Sequence, residues 1–373
     1  VTLTFFVYVG IELGVLLGAL ILYQPEHYFQ NGYALFVMTP LPIAFYEPTG
    51  AGLFVFSWFL GGSILVALLY MLWRDGPRFI EELLLRGKPR EHSALLTVAG
   101  LFCANLFFAI IYASLLSGSG AEPVGFDPTG VPPWDLVVFF ARASVWEEIM
   151  GRSLLLGLPL MLFSLAAGDF RGRPVWRYVL GGGFSFNLPA LTALGFSSVM
   201  FGLAHLPGWD IYKVFPSTVA GVLFGYLFLR FGLWAAIVLH FAFDFAALPA
   251  TILEGNTIGF LTVLSSFLLL FWLVAGIMFF VYYLVRILEF FFRRSYLPAA
   301  EPAGPVKAVT TAYPGFVSYA EALSDQRGIV TPTPSAPPGT AAFGRGFVCP
   351  NCAGTEARFA DGKFHCTGCG KAV

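Results

Sequence analysis

The sequence predicts an all-α polytopic membrane protein of about eight transmembrane helices, with a small β-type cytoplasmic ribbon at its C-terminus. Three observations lead there. The 373 residues are 57% hydrophobic and 12% charged, where a soluble chain carries about 25% charge. Apolar runs recur that reach the roughly 20 residues a helix needs to cross a bilayer. Four of the five cysteines form two C-x-x-C pairs close to the end of the chain. The net charge of −1 gives no electrostatic reason to expect a nucleic-acid partner.

The candidate spans run over residues 4–23, 51–73, 93–116, 134–161, 189–206, 214–231, 233–250 and 259–286. The first lacks a basic flank and a small-residue cleavage site, so it reads as a retained helix and not a signal peptide. The apolar run Ala34 to Tyr46 is short and contains Pro40 and Pro42; it fits a re-entrant or interfacial piece. Cys103 lies alone in an apolar helix, where a buried, inert thiol is expected.

Basic residues set the expected orientation. Residues 1–73 hold no Lys or Arg, and neither do 117–133 and 251–258. The connection after the second span holds Arg74, Arg78, Arg86, Lys88 and Arg90; that after the fourth holds Arg171, Arg173 and Arg177; the last span ends in Arg286, Arg293 and Arg294. This alternation predicts a multi-pass protein of the cell membrane with both termini in the cytoplasm, with Lys213 as the exception on the outer side.

Residues 297–346 are rich in Pro, Gly, Ala and Thr and read as a flexible linker. Residues 347–373 follow as a separate module. Its pairs Cys349/Cys352 and Cys366/Cys369 stand thirteen residues apart, a spacing that suits tetrahedral Cys₄ zinc. So short a module cannot bury enough core to fold alone, so metal would supply its folding energy. The rival, a pair of disulfides, conflicts with the expected cytoplasmic side. A closed Cys₄ site has no open coordination position. The expected Zn²⁺ is therefore structural, and the ribbon's expected role is docking a protein partner or regulation.

Six ionisable residues fall inside apolar segments: Glu147, Glu148 and Arg152 in the fourth span, His205 in the fifth, His240 and Asp244 in the seventh. Each costs roughly 2.5–3.5 kcal/mol at the centre of a membrane helix. Glu148 and Arg152 are four apart and can pair along one face. Glu147 then lacks that partner and is a candidate general base. The bland readings are an ion pair fixing helix packing, an interfacial histidine ahead of Pro207, and a hydrogen bond between His240 and Asp244. Three helices would each need a separate reason of that kind, whereas one shared polar cavity accounts for all six. Depth poses a conflict, since His205 falls toward the outer end of its span and His240 near the inner end of its own. A late start of the fifth helix, after Gly181–Gly183 and Pro189, would relieve it.

The ordered patterns Glu147-Glu148-x-x-x-Arg152, Phe201-x-x-x-His205 and His240-x-x-x-Asp244 resemble the CAAX-protease and bacteriocin-processing family. Its members are intramembrane glutamic endopeptidases and include the Rce1-like enzymes. Phe201-Gly-Leu-Ala-His205, Gly221-Val-Leu-Phe-Gly225 and Arg230-Phe-Gly strengthen the likeness. It makes residues 134–250 the protease core, residues 1–133 an N-terminal set of helices and residues 251–296 a last membrane helix. By that resemblance Glu147 and His205 activate a water, His240 and Asp244 stabilise the oxyanion, and Glu148 and Arg152 orient the site, with no cofactor required for catalysis. The expected substrate is a membrane-associated protein or peptide, of which prenylated CaaX proteins are one family use. Asp244 stands where Rce1-type members carry Asn. An ionised Asp cannot donate to an oxyanion, so either Asp244 is protonated or, the favoured reading, it fixes the tautomer of His240, whose ring then donates. Gly151 stands where the family often has an aromatic residue.

Two other classes are compatible with the same residues. A Glu/His/His/Asp set can bind metal, although H-E-x-x-H, the signature of membrane metalloproteases, is absent. A non-proteolytic scaffold or transporter can use a polar cluster as a path, although no inverted repeat supports a transporter.

Overall fold

The structure is a computed structural model that describes residues 1–22, 33–38, 42–84, 92–121, 131–167, 173–207, 209–246, 259–296, 357–360 and 363–366. The chain divides into two units, Val1–Arg293 and Arg294–Val373.

In the first unit, α1 (Thr2–Leu22) is followed by a hairpin of β1 (Leu35–Met38) and β2 (Pro42–Tyr46), then α2 (Gly50–Leu84) and α3 (Ala94–Gly118). The fourth helix, α4, begins as α-helix over Pro133–Arg142 and winds as π-helix over Ala143–Glu147 and Ile149–Gly157. It returns to α-helix over Leu158–Ala166. Short α5 (Trp176–Leu180) precedes α6 (Leu188–Leu203), α7 (Ile211–Arg230), α8 (Leu233–Phe245) and α9 (Gly259–Tyr296). Local chemistry sets several starts. The Ser93 hydroxyl caps α3, and Glu82 of α2 accepts from both its backbone and its side chain at 2.6 and 2.5 Å. Asn187 and Asp210 cap α6 and α7 by accepting from Ala190 and Tyr212.

Among the described residues, six helices are long and apolar enough to cross a membrane: α1, α2, α3, α4, α7 and α9. The count of about eight is thus corrected for α6 and α8, which have 16 and 13 residues. At 1.5 Å per residue they reach about 24 and about 20 Å, short of a hydrocarbon layer of about 30 Å. α8 has no need to reach both faces. Ten of its side chains are buried against protein, among them Ala235, Leu239 and Phe241, so neighbouring helices replace lipid around it. The run read as re-entrant or interfacial forms the β1–β2 hairpin, paired antiparallel with Phe36 opposite Ala44. Cys103 is a free, buried thiol.

α6 and α7 pack closest among the helices of this unit. Small residues allow the approach: a Cβ on Gly221 would stand 3.0 Å from the Ser198 backbone. Ahead of α6, Gly181, Gly182 and Gly183 all take positive φ. Their chain turns onto the end of α7, where Gly182 and Gly183 donate to the carbonyls of Phe228 and Arg230 at 2.8 and 3.0 Å.

In the second unit, β3 (Ala357–Ala360) and β4 (Lys363–Cys366) form an antiparallel hairpin with Cys366 opposite Ala357. Cys349, Cys352 and Cys369 lie outside the described residues, as does the linker 297–346.

Candidate active site

The two π-wound pieces of α4 carry Glu147 and Arg152, with Glu148 at the junction between them. π-Helical turns are rare and occur often at functional sites. Here they set three polar side chains among apolar neighbours. Glu148 and Arg152 are fully buried and pair at 3.1 Å through Nε of the arginine. The guanidinium also donates through Nη1 to the Ser197 hydroxyl of α6 at 3.0 Å, and that hydroxyl donates to the Gly151 carbonyl at 2.6 Å. The rings of Phe201 and Phe224 lie 5.0 and 5.7 Å from the guanidinium carbon. A buried charge is tolerable only with partners of this kind.

The second oxygen of Glu148 lies 2.9 Å from Nδ1 of His240 on α8. A carboxylate only accepts, so Nδ1 carries the hydrogen. The other ring nitrogen, Nε2, stands 3.4 Å from Asp244 Oδ2. Two acceptors cannot bond each other, so a proton on this side belongs to Nε2 or to the carboxyl. The tautomer of His240 is therefore set by Glu148, and not by Asp244 as the sequence led us to expect. Asp244 also accepts from the Ser144 hydroxyl at 3.2 Å. Phe224 stacks on the His240 ring, with centroids 4.6 Å apart and planes inclined by 13°.

His205 lies in the turn that follows α6. Its Nδ1 is 2.8 Å from the Phe201 carbonyl oxygen, which accepts and so places the hydrogen on Nδ1. A neutral imidazole then presents a lone pair at Nε2, and Nε2 stands 3.9 Å from Glu147 Oε2. That distance is too long for a direct hydrogen bond and leaves the two acceptors able to share one water. Such a water donates one hydrogen to each and keeps its oxygen lone pair for attack.

All six residues singled out in the sequence are thus joined through α4. Glu148 links Arg152 to His240, His240 faces Asp244, and Glu147 faces His205. The depth conflict dissolves at α8. That helix ends at Phe245, so His240 and Asp244 lie near its C-terminal end, as His205 does relative to α6. A late start of α6 is not what reconciles them: it begins at Leu188, ahead of Pro189.

Sequence reading missed several neighbours. Ser144 stands four residues before Glu148, and Ser197 four before Phe201 and eight before His205, so helical spacing held a signal for both. Phe224 lies within the Gly221–Gly225 stretch that strengthened the family likeness, but as one of 41 phenylalanines it gave no sign of a place against His240. Lys213, noted only as an exception to the charge alternation, sits in the first turn of α7. Its ammonium lies 4.3 Å from the Trp209 ring centroid. At Gly151, a Cβ would stand 3.6 Å from the Phe201 ring, so an aromatic side chain from α6 already fills that side. Among the described residues, no three His, Cys, Asp or Glu side chains are arranged to hold a metal ion.

Residues 129–246 match the family model of type II CAAX prenyl endopeptidases, described as Rce1-like. The match begins ahead of α4 and ends after α8, and it contains all six residues of the cluster. At the level of that family it supports a CAAX-type intramembrane endopeptidase. No curated protein matches the chain, and no solved structure does.

Proposed function

We propose that this protein is an intramembrane glutamic endopeptidase that hydrolyses peptide bonds of membrane-associated proteins, with CaaX-type prenylated proteins as the substrate class the family favours. The observation that carries the reading is the facing of Glu147 and His205 across two helices, with a gap of 3.9 Å between two acceptor atoms. Glu147 and His205 hold a water between them. As its oxygen attacks the scissile carbonyl, Glu147 takes the water's proton, and it later delivers a proton to the leaving amine. The carbonyl oxygen becomes an oxyanion beside the His240–Asp244 pair, where one donor hydrogen is available whichever of the two carries it. A fixed donor in a dry cavity stabilises such a charge strongly. Glu148 and Arg152 do not touch the substrate. They hold His240 and α6 in place.

The test is Glu147→Gln. It keeps shape and burial and removes the base, so cleavage is expected to fall by at least ~10²-fold while expression and membrane insertion persist. Comparative proteomics of membranes bearing each form identifies the substrates as proteins that lose their cleaved form. Normal turnover by the variant removes the glutamic mechanism.

The C-terminal module is assigned structural zinc held by Cys349, Cys352, Cys366 and Cys369. The β3–β4 register supports this. Cys366 closes β4 opposite Ala357, so one of the four cysteines stands at the end of a hairpin, the kind of element that carries the cysteine pairs of a ribbon. Zinc there contributes folding energy and no catalytic chemistry.

A further inference from the structure

The β1–β2 hairpin lies outside the family match and is fastened to the catalytic helix. Three side chains of α4 hold it. The Trp146 indole donates to the Phe36 carbonyl at 2.9 Å, Arg142 Nη1 donates to the Ala34 carbonyl at 2.9 Å, and the Tyr33 hydroxyl donates to Asp135 Oδ1 at 2.9 Å. The Arg142 guanidinium also sits among the rings of Tyr33, Phe36 and Phe139, at 5.8, 5.6 and 5.0 Å. Trp146 is the residue before Glu147, and its ring lies 6.2 Å from that of Phe45 in β2. The hairpin is therefore held beside the water-activating carboxylate.

Its two edges differ. The outer edge of β1 is taken up, because the Ala34 and Phe36 carbonyls are turned onto α4. The outer edge of β2 is open: among the described residues β2 pairs with β1 alone. Both faces of β2 are open as well, with Ile43, Phe45 and Tyr46 each more than half exposed. Pro42 has no N–H, so its register pair with Met38 cannot exchange both ladder bonds. Phe36–Ala44 lies two steps along the same register and alternates to the same type, which turns the Ala44 N–H and C=O toward the open edge. A bare strand edge is a template for another strand, and within a membrane it has no water to satisfy it.

A substrate has the complementary need. Inside a bilayer a polypeptide hides its backbone in helical hydrogen bonds. The water held by Glu147 and His205 can attack only a carbonyl freed from them, and the residues around it then need new partners. We infer that β2 is a substrate-docking edge: an extended, unwound segment of the substrate polypeptide adds to it as a third strand, through backbone hydrogen bonds that include those of Ala44. This deepens the endopeptidase reading and rests on it for the occupant's identity. Recognition of this type is tolerant of side-chain identity, since main-chain bonds supply the affinity.

The test separates docking from cleavage. The full-length Glu147→Gln protein in lipid nanodiscs is titrated with a fluorescent 12-residue peptide of mixed Val, Thr and Ala. It is titrated in parallel with the same peptide N-methylated at alternate residues, in either phase, which removes the donors along one edge. Binding is expected to weaken at least tenfold for one N-methylated phase and to change little for the other. Ala44→Pro, which removes the outward donor, is expected to weaken the unmodified peptide about tenfold, and Ala44→Val, which restores it, to recover the affinity. No binding, or binding indifferent to both N-methyl phases in a protein that melts normally, overturns the inference. Because the N-methyl comparison uses one protein, a misfolded Ala44→Pro variant does not blur it. The unmodified peptide is also offered to the protein with Glu147 intact. Edge-dependent binding without hydrolysis retains the docking edge and removes the peptidase as its purpose. Hydrolysis with indifferent binding retains the peptidase and removes the edge.

Discussion

Two histidines separated by 35 positions take opposite parts because of what their Nδ1 atoms meet. His205 meets a backbone carbonyl and offers a lone pair at Nε2, while His240 meets Glu148 and turns Nε2 toward Asp244. The residue-scale predictions follow from these contacts. Asp244→Asn is expected to keep substantial activity, because the amide nitrogen can donate where the carboxyl or ring hydrogen stood. Asp244→Ala leaves no such group and should cost on the order of 2.7–4 kcal/mol of transition-state stabilisation. His240→Ala should cost a similar amount, and the double variant should fall well short of the sum, since the two act as a unit. Peptidase kinetics on the four proteins in one detergent decide this; equal losses for Asn and Ala would mean that the charge of Asp244 is itself required. Ser197→Ala is a different kind of change. It strips one partner from the buried Arg152 and another from the Gly151 carbonyl. Thermal unfolding should show a loss of about 1–3 kcal/mol, the cost of buried polar groups left unpaired.

The unusual element is α4. Adjacent residues lie about a quarter-turn apart on such a helix, so Glu147 and Glu148 face different histidines, His205 and His240. Residue spacing alone does not announce a π-helix, because the same side chains four apart are compatible with either winding. Its packing is close at the far end: a Cβ on Gly157 would collide with the Tyr178 carbonyl of α5. Gly157→Ala should therefore force the chain to shift and lower stability by about 1–3 kcal/mol, the usual range for overpacking. Gly195→Ala in α6 meets nothing within 4 Å and should be neutral or stabilising, since alanine favours helix over glycine by up to ~1 kcal/mol. Melting curves of the two variants give the comparison. The β1–β2 hairpin escaped sequence reading for a related reason. Prolines at 40 and 42 argue against a helix without specifying a strand pair, and what fixes the hairpin is its bonding to α4, far along the chain.

For the whole molecule, the two units should answer to different perturbations. If the C-terminal module owes its stability to zinc, chelation should unfold it and leave the membrane unit intact. Hydrolysis of a short peptide should then survive both chelator and removal of residues 347–373. Loss of activity with chelator, persisting in the shortened chain, would point instead to a metal at the Glu147–Asp244 cluster. Metal analysis of the two forms before and after dialysis provides the matching count.

What the sequence determined by itself is whatever follows from local composition. Long apolar runs mark candidate spans, a drop in apolar periodicity marks a candidate linker, and paired cysteines mark a candidate metal module. Charges in hydrocarbon are costly enough that six of them in three helices pointed to one site, and their order pointed to the Rce1-like family later matched over residues 129–246. Tertiary structure decided what depends on neighbours distant in the chain. α8 is 13 residues long and most of its side chains are buried against neighbouring elements, which its own hydropathy does not reveal. Glu148 and not Asp244 governs His240 because α4 and α8 cross at that point. Phe224 lies on the imidazole because α7 brings it there. Hydropathy records the cost of leaving water, which each segment bears alone. Partner choice among buried polar groups depends on distances of a few ångströms between segments, and these exist only once the bundle has packed.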